Sequence, residues 1–494
     1  MYDDRSVIPF CLPNRPFHTM RLRALSVAVC CGLLVLLWAG CDSVSIDERE
    51  DPNRPSLEGT IENPTRGKIA NVATGVEAGM RTDINLYLTD VGVIGREYIR
   101  FSGSEPRFTA DLLGGGSSVL DNNTFYITRP WAERYRVVRN ANILIKATGN
   151  APSSVLSDAE KEAVRGFART IIGYQLLLNA NLTFRNGIRV DVAGDEPGPV
   201  VDYSAALQAI ADSLDAASQS LQGGSDEFPF TLSSGFDGFH STAAFRTFNR
   251  ALAARVAAYQ QDYERVLEVI DDSFVDSGAS LRKGTYHVFS TAAGDMTNPF
   301  FLDPQASGDL IAAHPSYVAD IRADDNRIDK VVERLDSFGA AGLQSDWGFA
   351  VYDGPTAPIP IIRNAELLLL RAEANLLKSS PDLDAVIEDL NVIRNAAGLG
   401  DYSGPETQDA LFDELLYQRR YELYGEGHRW IDVRRLLGDD CGSATDDSCL
   451  DDDLPLDREG DNVWLQFPIP ADENTVRTLD RPSTGTIPEQ KPHQ

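Results

Sequence analysis

Cysteine and positive charge are both scarce in this chain. Six of the 494 residues are cysteines, and four of these lie within the first 41 residues. The remaining two are too few for a disulfide-rich scaffold, so that class of protein is excluded. Lysine and arginine number 45 against 74 aspartates and glutamates, which gives a formal net charge of −29. A surface of that sign repels phosphate groups, so nucleic acid is excluded as a partner and membrane contact through a basic patch is excluded as well.

Familiar catalytic and metal-binding motifs are also missing. The sequence has no G-x-S-x-G, H-E-x-x-H, C-x-x-C or Gly-Lys-Ser/Thr phosphate loop, and its six histidines are scattered. Four aspartates at positions 320, 324, 325 and 329 are close enough in sequence to hold a metal ion, but Arg322 and Arg327 lie among them. That mixture favours a charged helix-to-loop segment. The sequence therefore predicts a protein that is not an enzyme and has no metal or cofactor.

The N-terminal 40 residues have the pattern of a secretory signal. A short basic segment, 20–23, precedes 17 uncharged residues, 24–40, and Cys41 follows directly. This predicts a lipoprotein signal peptide over residues 1–40, with a diacylglycerol anchor on Cys41. The alternative is a transmembrane anchor, although the run is at the short end for spanning a bilayer.

Two smaller predictions concern the flanks of this signal. Residues 1–19 show no targeting character, so Met20 is the predicted true start. The polar, acidic stretch that follows the signal predicts a flexible tether over residues 41–60.

The last two cysteines, Cys441 and Cys449, lie in a loop rich in aspartate. In an exported protein two cysteines eight positions apart predict a small loop disulfide, and two free thiols are the alternative. The loop lacks the ligand spacing of a calcium-binding EF-hand, which favours a solvated acidic loop.

The body of the chain is predicted to be mainly α-helical. Apolar residues recur at helical spacing over residues 131–147, 163–182 and 205–221. In the second of these, Gly166 and Gly173 are small enough to let a partner helix approach closely.

Two further segments predict helical hairpins. Residues 251–270 and 363–394 each contain two apolar helices joined by a short polar turn, which is the outline of a tetratricopeptide-type hairpin. Such hairpins stack, because none buries its apolar face alone. The predicted fold class is therefore mainly α, with tetratricopeptide-like helical hairpins that form a solenoid scaffold, long irregular loops and few short strands.

Residues 418–437 contain eight charged side chains together with apolar side chains of the kind that usually pack in a core. The charged residues follow one another at steps of three or four, so oppositely charged neighbours can pair along one side of a helix. We predict an ion-pair clamp, which includes acids and arginines of residues 363–373. Catalysis by paired carboxylates is the alternative, weakened because each acid has an arginine nearby that holds it ionised. The predicted clamp residues are Arg363, Glu366, Glu373, Arg419, Glu422, Glu426, Arg429, Asp432 and Arg435.

These segments resemble the SusD/RagB family of outer-membrane nutrient-binding lipoproteins from Bacteroidetes-like bacteria. Residues 418–437 are similar to the family pattern E-R-x-x-E-L-x-x-E-G-x-R-x-x-D-L-x-R, with Gln418 and Val433 as departures. Residues 131–142 resemble its W-x-x-x-Y-x-x-I-x-x-A-N helix, and residues 363–374 resemble R-x-A-E-x-x-L-x-x-A-E-A. The resemblance spans residues 131–474 and includes the anchor.

The resemblance implies a lipid-anchored protein of the outer membrane, exposed on the cell surface. It would bind an oligosaccharide or other oligomeric nutrient and deliver it to a partner, a SusC-like TonB-dependent β-barrel transporter. It also implies one SusD-like body over residues 61–494, with an N-terminal part of about 61–235 and a C-terminal part of about 236–494. Two alternatives stay open: an extracellular glycan- or peptide-degrading hydrolase, and a helical-repeat scaffold without a small ligand.

Sugar capture needs flat aromatic faces and hydrogen-bonding groups on a shallow, wet surface. Long segments without a helical period, over residues 101–123, 188–201, 272–303 and 332–360, offer such aromatics. The alternative for each aromatic is ordinary packing in the core. The predicted ligand contacts are Trp347 and Tyr352 first, then Phe289, Phe300, Phe301, Phe101 and Phe108.

Overall fold

Helices make up most of the structure, a computed structural model that describes residues 57–194, 196–438, 450 and 454–473. The predicted signal peptide, Cys41 and the Cys441–Cys449 pair lie outside these residues. Among the described residues the first helix begins at Leu57, so the last residues of the predicted tether are helical. No helix in the described part is long and apolar enough to cross a membrane.

The segments predicted to be helical are helical in the structure, and helices at residues 57–110 and 315–320 lie outside those segments. In chain order they are α1 (Leu57–Glu62), α2 (Arg66–Gly79), α3 (Ile84–Ile94), α4 (Arg107–Ala110), α5 (Phe125–Asn150), α6 (Asp158–Thr183), α7 (Tyr203–Gln222), α8 (Thr242–Tyr259), α9 (Tyr263–Ile270), α10 (Pro315–Asp320), α11 (Asn364–Leu377), α12 (Leu383–Ala396), α13 (Gln408–Glu422) and α14 (Arg429–Leu436). The mainly α fold class is confirmed.

Helix α6 packs closely on α7, and two glycines allow it. A Cβ atom added to Gly166 would lie 2.5 Å from Cγ of Leu221, and one added to Gly173 would lie 3.0 Å from Cδ2 of Leu214. The predicted close approach of a partner helix is therefore confirmed. A capping box of Ser157 and Glu160 fixes where α6 begins, because each residue satisfies a backbone N–H of the other.

The two predicted helical hairpins are α8–α9 and α11–α12. In both, an aspartate in the turn caps the second helix: Asp262 accepts from the Arg265 N–H at 3.0 Å, and Asp382 accepts from the Ala385 N–H at 3.2 Å. The caps satisfy backbone donors that a helix start leaves unpaired. The hairpins pack on each other, and a second apolar core lies under α11, α12 and α13.

The strands are few and mostly short. They are β1 (Tyr98–Phe101), β2 (Ile188–Arg189), β3 (Val200–Val201), β4 (Gly284–His287), β5 (Leu310–Ala313), β6 (Val331–Ala340), β7 (Leu343–Phe349) and β8 (Ile359–Arg363). An antiparallel sheet has the order β1-β5-β7-β6, and β2–β3 and β4–β8 form separate pairs.

The hairpin β6–β7 lies in a segment that the sequence assigned to irregular structure. Its register shifts between Glu333 and Phe338, which interrupts the two-residue alternation by which a strand is recognised.

Residues of the predicted clamp form two buried ion-pair groups. In the first, Arg363 donates to Glu422 at 2.7 Å and to Glu426 at 2.7 Å. Burial raises the pKa of Glu422, but Arg363 and Lys330 more than offset this and lower it. Lys330, which sequence reasoning missed, also donates to the Tyr421 and Glu422 carbonyls at the end of α13.

In the second group two arginines share two acids. Arg419 donates to Asp432 at 2.8 Å, and Arg435 donates to Asp432 at 2.8 Å and to Glu373 at 2.7 Å. Burial acts to raise the pKa of Asp432, yet the two guanidinium groups bring it down to about 2. These contacts join α11, α13 and α14.

Two predicted members have partners that the sequence did not indicate. Glu366 binds Arg255 of α8 at 2.6 Å, and His428 Nε2 lies 3.6 Å from the same carboxylate. Arg429 donates to the Gly95 carbonyl at 3.1 Å, at the end of α3. The cluster thus ties the C-terminal helices to α8 and α3.

Candidate binding site

Five of the seven predicted ligand aromatics are core residues. Phe101, Phe300 and Tyr352 are 1%, 1% and 4% exposed, and Phe108 and Phe289 are 7% and 6% exposed. A ring packed on every side has no face to offer a ligand, so the prediction of direct stacking is wrong for these five residues.

The packing partners show what the buried rings do instead. Phe300 lies against Tyr98, Phe349 and Tyr352 with ring centroids 5.6–5.7 Å apart. The Tyr352 hydroxyl donates to the Gly425 carbonyl at 3.1 Å, next to the ion-pair cluster. These rings hold the sheet against the helices.

Trp347 and Phe301 are half-buried. Trp347 lies on β7 opposite Glu333 of β6, and its ring packs partly on the core. Both keep some exposed surface, and their contact with a ligand stays a prediction.

The structure brings two of the predicted irregular segments together around aromatics that sequence reasoning missed. Phe125 and Phe338 are half-buried, and each packs on a buried predicted residue: Phe125 on Phe108 at 5.3 Å and Phe338 on Phe101 at 4.9 Å between ring centroids. Arginines lie over these rings. We call the group the arginine–aromatic patch; its members are Arg100, Arg107, Phe108, Phe125, Arg334 and Phe338.

Each guanidinium of the patch lies within cation–π distance of a ring. Arg107 lies 5.0 Å from the centroid of Phe125, and Arg334 lies 5.8 Å from that of Phe338. Arg100 lies 5.3 Å from the centroid of Phe108. The patch thus alternates apolar ring surface with fixed hydrogen-bond donors.

Residues 303–309 join the two sides of the patch. The Gly103 N–H donates to Asp309 at 3.2 Å, and Arg334 donates to the Ala306 carbonyl at 2.9 Å. Gln305 accepts from the Leu335 N–H at 3.0 Å. Leu335 is 90% exposed, which places an apolar side chain in water beside Arg334.

Arg458, from the C-terminal segment, fixes the tip of the β6–β7 hairpin. It donates to the Ala341 carbonyl at the tip and to the Thr109 carbonyl of α4, at 2.8 and 2.7 Å. Asp461 pairs with it at 2.9 Å. The hairpin tip is therefore attached to the helix that carries Arg107 and Phe108.

Acids at the rim of the patch are held ionised. Glu105 has a lowered pKa because Arg107 donates to it, and Asp309 has a lowered pKa through hydrogen bonding with Ser102. Burial lowers the pKa of Arg100, and Asp309, 3.6 Å away, opposes that shift. The patch offers stacking surface, and its half-buried Arg100 and exposed Arg107 offer charged donors. Arg334 is buried and donates to the Asp336, Pro304 and Ala306 carbonyls. None of the six members is a nucleophile or a general base.

Two of the four aspartates considered for a metal site are paired with arginines. Asp320 lies 2.9 Å from Arg420, and Asp325 lies 2.6 Å from Arg327. Among the described residues no group of three or more histidines, cysteines or acids has the arrangement of a metal site.

Comparison with known proteins places this fold. Residues 340–478 match the sequence model of the SusD family. A SusD superfamily protein from Bacteroides vulgatus is similar in structure at 16% identity, with a TM-score of 0.61, over 84% of this chain and 97% of that chain. Surface glycan-binding protein A from Bacteroides thetaiotaomicron is similar at 14% identity, with a TM-score of 0.63, over 84% and 98%.

A SusD-like carbohydrate-binding protein from Bacteroides vulgatus is also similar, at 16% identity, with a TM-score of 0.57, over 75% of this chain and 83% of that chain. No curated protein matches the chain in sequence. The fold is that of the SusD-like helical proteins. In sequence, the match to the SusD family covers the C-terminal part of the chain, residues 340–478.

Proposed function

We propose that the protein binds an oligosaccharide through the arginine–aromatic patch. The observation that carries the proposal is the pair of half-buried rings, Phe125 and Phe338, each with an arginine over it. Aromatic faces stack on the apolar faces of sugar rings, and guanidinium groups donate to hydroxyl oxygens. Structural relatives described as glycan-binding or carbohydrate-binding support the same ligand class.

We further propose that the protein is anchored to the outer membrane through a lipid on Cys41, with its body at the cell surface. There it would pass its ligand to a SusC-like TonB-dependent transporter. The support is the signal-like pattern of residues 1–40 and the family match. The net charge of −29 agrees with attachment by lipid rather than by a basic surface.

Binding can be tested with single substitutions in the patch. Phe338→Ala and Phe125→Ala should each weaken binding of the best ligand from a glycan panel by about 10-fold, since one stacked ring contributes on the order of 1–2 kcal/mol. Isothermal titration measures this. Phe412→Ala, which removes a half-buried ring from α13, is the matched control. Equal affinity in the wild type and the three variants would contradict the proposal that the patch binds the ligand.

The hydrolase alternative is tested with the same glycan panel. A binding protein releases no reducing sugar from any polysaccharide, whereas a hydrolase releases product at a rate proportional to protein concentration. Product release that survives repeated purification would replace the binding proposal.

The transporter proposal needs the native membrane. Purification in a gentle detergent followed by mass spectrometry should recover a TonB-dependent barrel with the protein. Replacement of Cys41 by serine should move the protein out of the membrane fraction. A wild-type protein recovered alone, after mild solubilisation, would contradict the partnership.

A further inference from the structure

A cleft that shares no residue with the arginine–aromatic patch is lined by Arg282 and Lys283, two cations that pair with no acid among the described residues. Its first part is a cavity of about 380 Å³ between α2, residues 231–236 and residues 286–295. Its second part is a cavity of about 530 Å³, and both are lined by Ser234 and Tyr286. Each volume lies in the range of about 300–1,000 Å³ that is usual for ligand sites.

The lining of both cavities combines aromatic rings with hydroxyl groups. Phe236 and Phe289 lie against the first cavity and Phe239 and Phe274 against the second, but all four rings are core residues, 1–6% exposed. The half-buried Tyr286 lines both cavities and keeps an exposed surface. Side chains with hydroxyl groups complete the walls; they are Thr74, Thr231, Ser233, Ser234, Thr247, Ser273 and Ser290. The partly exposed Tyr286 ring beside these hydroxyls suits a sugar, which presents apolar C–H faces and polar edges together.

In the first cavity the charged groups already have partners. Arg81 pairs with Asp295 at 2.8 Å, and it donates to the Val288 carbonyl at 2.6 Å. Glu77 accepts from the Ser233 N–H at 3.2 Å, and burial raises its pKa. This part of the cleft has little net charge to offer a ligand.

The second cavity differs in its charges. Arg282 and Lys283 are exposed, and in the part of the chain that the structure describes neither forms an ion pair with an acid. Lys283 Nζ donates only to the neutral Phe274 carbonyl, at 3.2 Å. The acid in the lining, Asp237, lies 3.8 Å from His240 Nε2.

We infer that this cleft is a second saccharide site, and that it takes an oligosaccharide with carboxylate groups, such as an oligouronate. The planar guanidinium of Arg282 matches a carboxylate, and Lys283 adds a second positive charge beside it. The neighbouring first cavity, with its aromatic and hydroxyl lining, has room for a further sugar of the same chain. The inference shares with the proposed function only the saccharide nature of the ligand.

Oligogalacturonate and its methyl ester are matched probes, because esterification removes the charge and keeps the sugar. Wild-type protein should bind the free acid at least 10-fold more tightly than the ester, and its affinity should fall as salt is raised. The double variant Arg282→Gln/Lys283→Gln should lose that preference. Arg139→Gln/Lys146→Gln removes the same charge from the exposed face of α5 and should keep it.

The outcomes separate this inference from the proposed function. Phe338→Ala should leave the preference for the free acid over the ester unchanged, because the patch and the cleft share no residue. Thermal melts close to wild type show that both double variants are folded. Equal binding of acid and ester by wild type, or an unchanged preference in the Arg282→Gln/Lys283→Gln variant, overturns the inference even where neutral glycans bind the patch.

Discussion

Glu373 illustrates how charge is balanced residue by residue in the ion-pair cluster. Its side chain has no exposed surface, and it accepts from Arg435 at 2.7 Å with Arg419 at 3.7 Å. A buried acid between two buried arginines is tolerated because each desolvated charge has an opposite charge beside it. Removal of one member leaves the others unpaired, so single substitutions here should be costly.

We expect Glu373→Gln to lower the free energy of unfolding by about 3–5 kcal/mol, since it leaves excess positive charge in the protein interior. Urea denaturation monitored by circular dichroism measures the change. Glu388→Gln, an exposed acid on α12, is the matched control and should stay within about 0.5 kcal/mol of wild type. Similar midpoints for the two variants would show that the cluster contributes little to stability.

The titration of Glu97 should make the free energy of unfolding depend on pH. Burial raises its pKa from 4.5 to about 8, against the opposing effects of the Gly425 N–H and Arg429. The folded state therefore keeps a proton that the unfolded chain releases above about pH 4.5. The contribution of Glu97 to stability is full below that pH and is lost as pH rises through 8, with a slope of about 1.4 kcal/mol per pH unit for one proton.

Glu97→Gln should flatten this slope between about pH 5 and 8, because glutamine does not titrate. The slope should fall without vanishing, since burial also raises the pKa of Asp90 well above its usual range. Urea midpoints at several pH values give the slope. A variant as pH-sensitive as wild type would show that Glu97 titrates normally.

At the scale of elements, glycines set how closely α6 and α7 pack. Gly166 faces Leu221 and the Ala217 carbonyl, and a Cβ atom there would lie 2.5 and 3.0 Å from them. A well-packed interface cannot take up extra methyl groups without moving a helix.

Gly166→Val should therefore destabilise the protein by about 1–3 kcal/mol, as overpacked cores do. Gly149→Val is the control: this glycine lies at the end of α5, where an added Cβ atom would have nothing within 4 Å, so the change should be small. Thermal unfolding of both variants measures the difference. Equal midpoints of thermal unfolding for Gly166→Val and Gly149→Val would contradict this prediction.

The hydrogen bonds of Arg458 hold the tip of the β6–β7 hairpin in position. Arg458→Ala removes the donors to Ala341 and Thr109, so the hairpin tip should be cleaved faster by a protease and glycan affinity should fall several-fold. Global stability should change less than in Glu373→Gln. Unchanged proteolysis with unchanged affinity would show that the hairpin is held by other contacts.

Negative charges within the molecule repel one another, because the net charge of the chain is −29. Salt screens such repulsion, with a Debye length of about 30 Å at 0.01 M and about 8 Å at 0.15 M. The midpoint of thermal unfolding should therefore rise over that range of sodium chloride. A neutral osmolyte at equal osmolarity is the control, and a midpoint that falls with salt would mean that attractive ion pairs dominate.

The sequence alone determined the features that depend on neighbours along the chain. Helices α5, α6 and α7, the two hairpins with their aspartate caps, and the acids and arginines of residues 418–437 follow from spacing and local hydrogen bonding. Even there, the sequence did not predict ion pairs between residues far apart in the chain. Nothing in the local pattern pairs Glu366 with Arg255, 111 positions away.

Only the tertiary structure decided which aromatic rings face water. Phe101 and Phe338 both come from segments without helical period, yet Phe101 is in the core and Phe338 is half-exposed on top of it. Burial depends on what packs against a ring from other parts of the chain, and the composition of its own loop does not reveal that. Arg282 and Lys283 are likewise unpaired because no acid of the described chain lies within ion-pair distance of them.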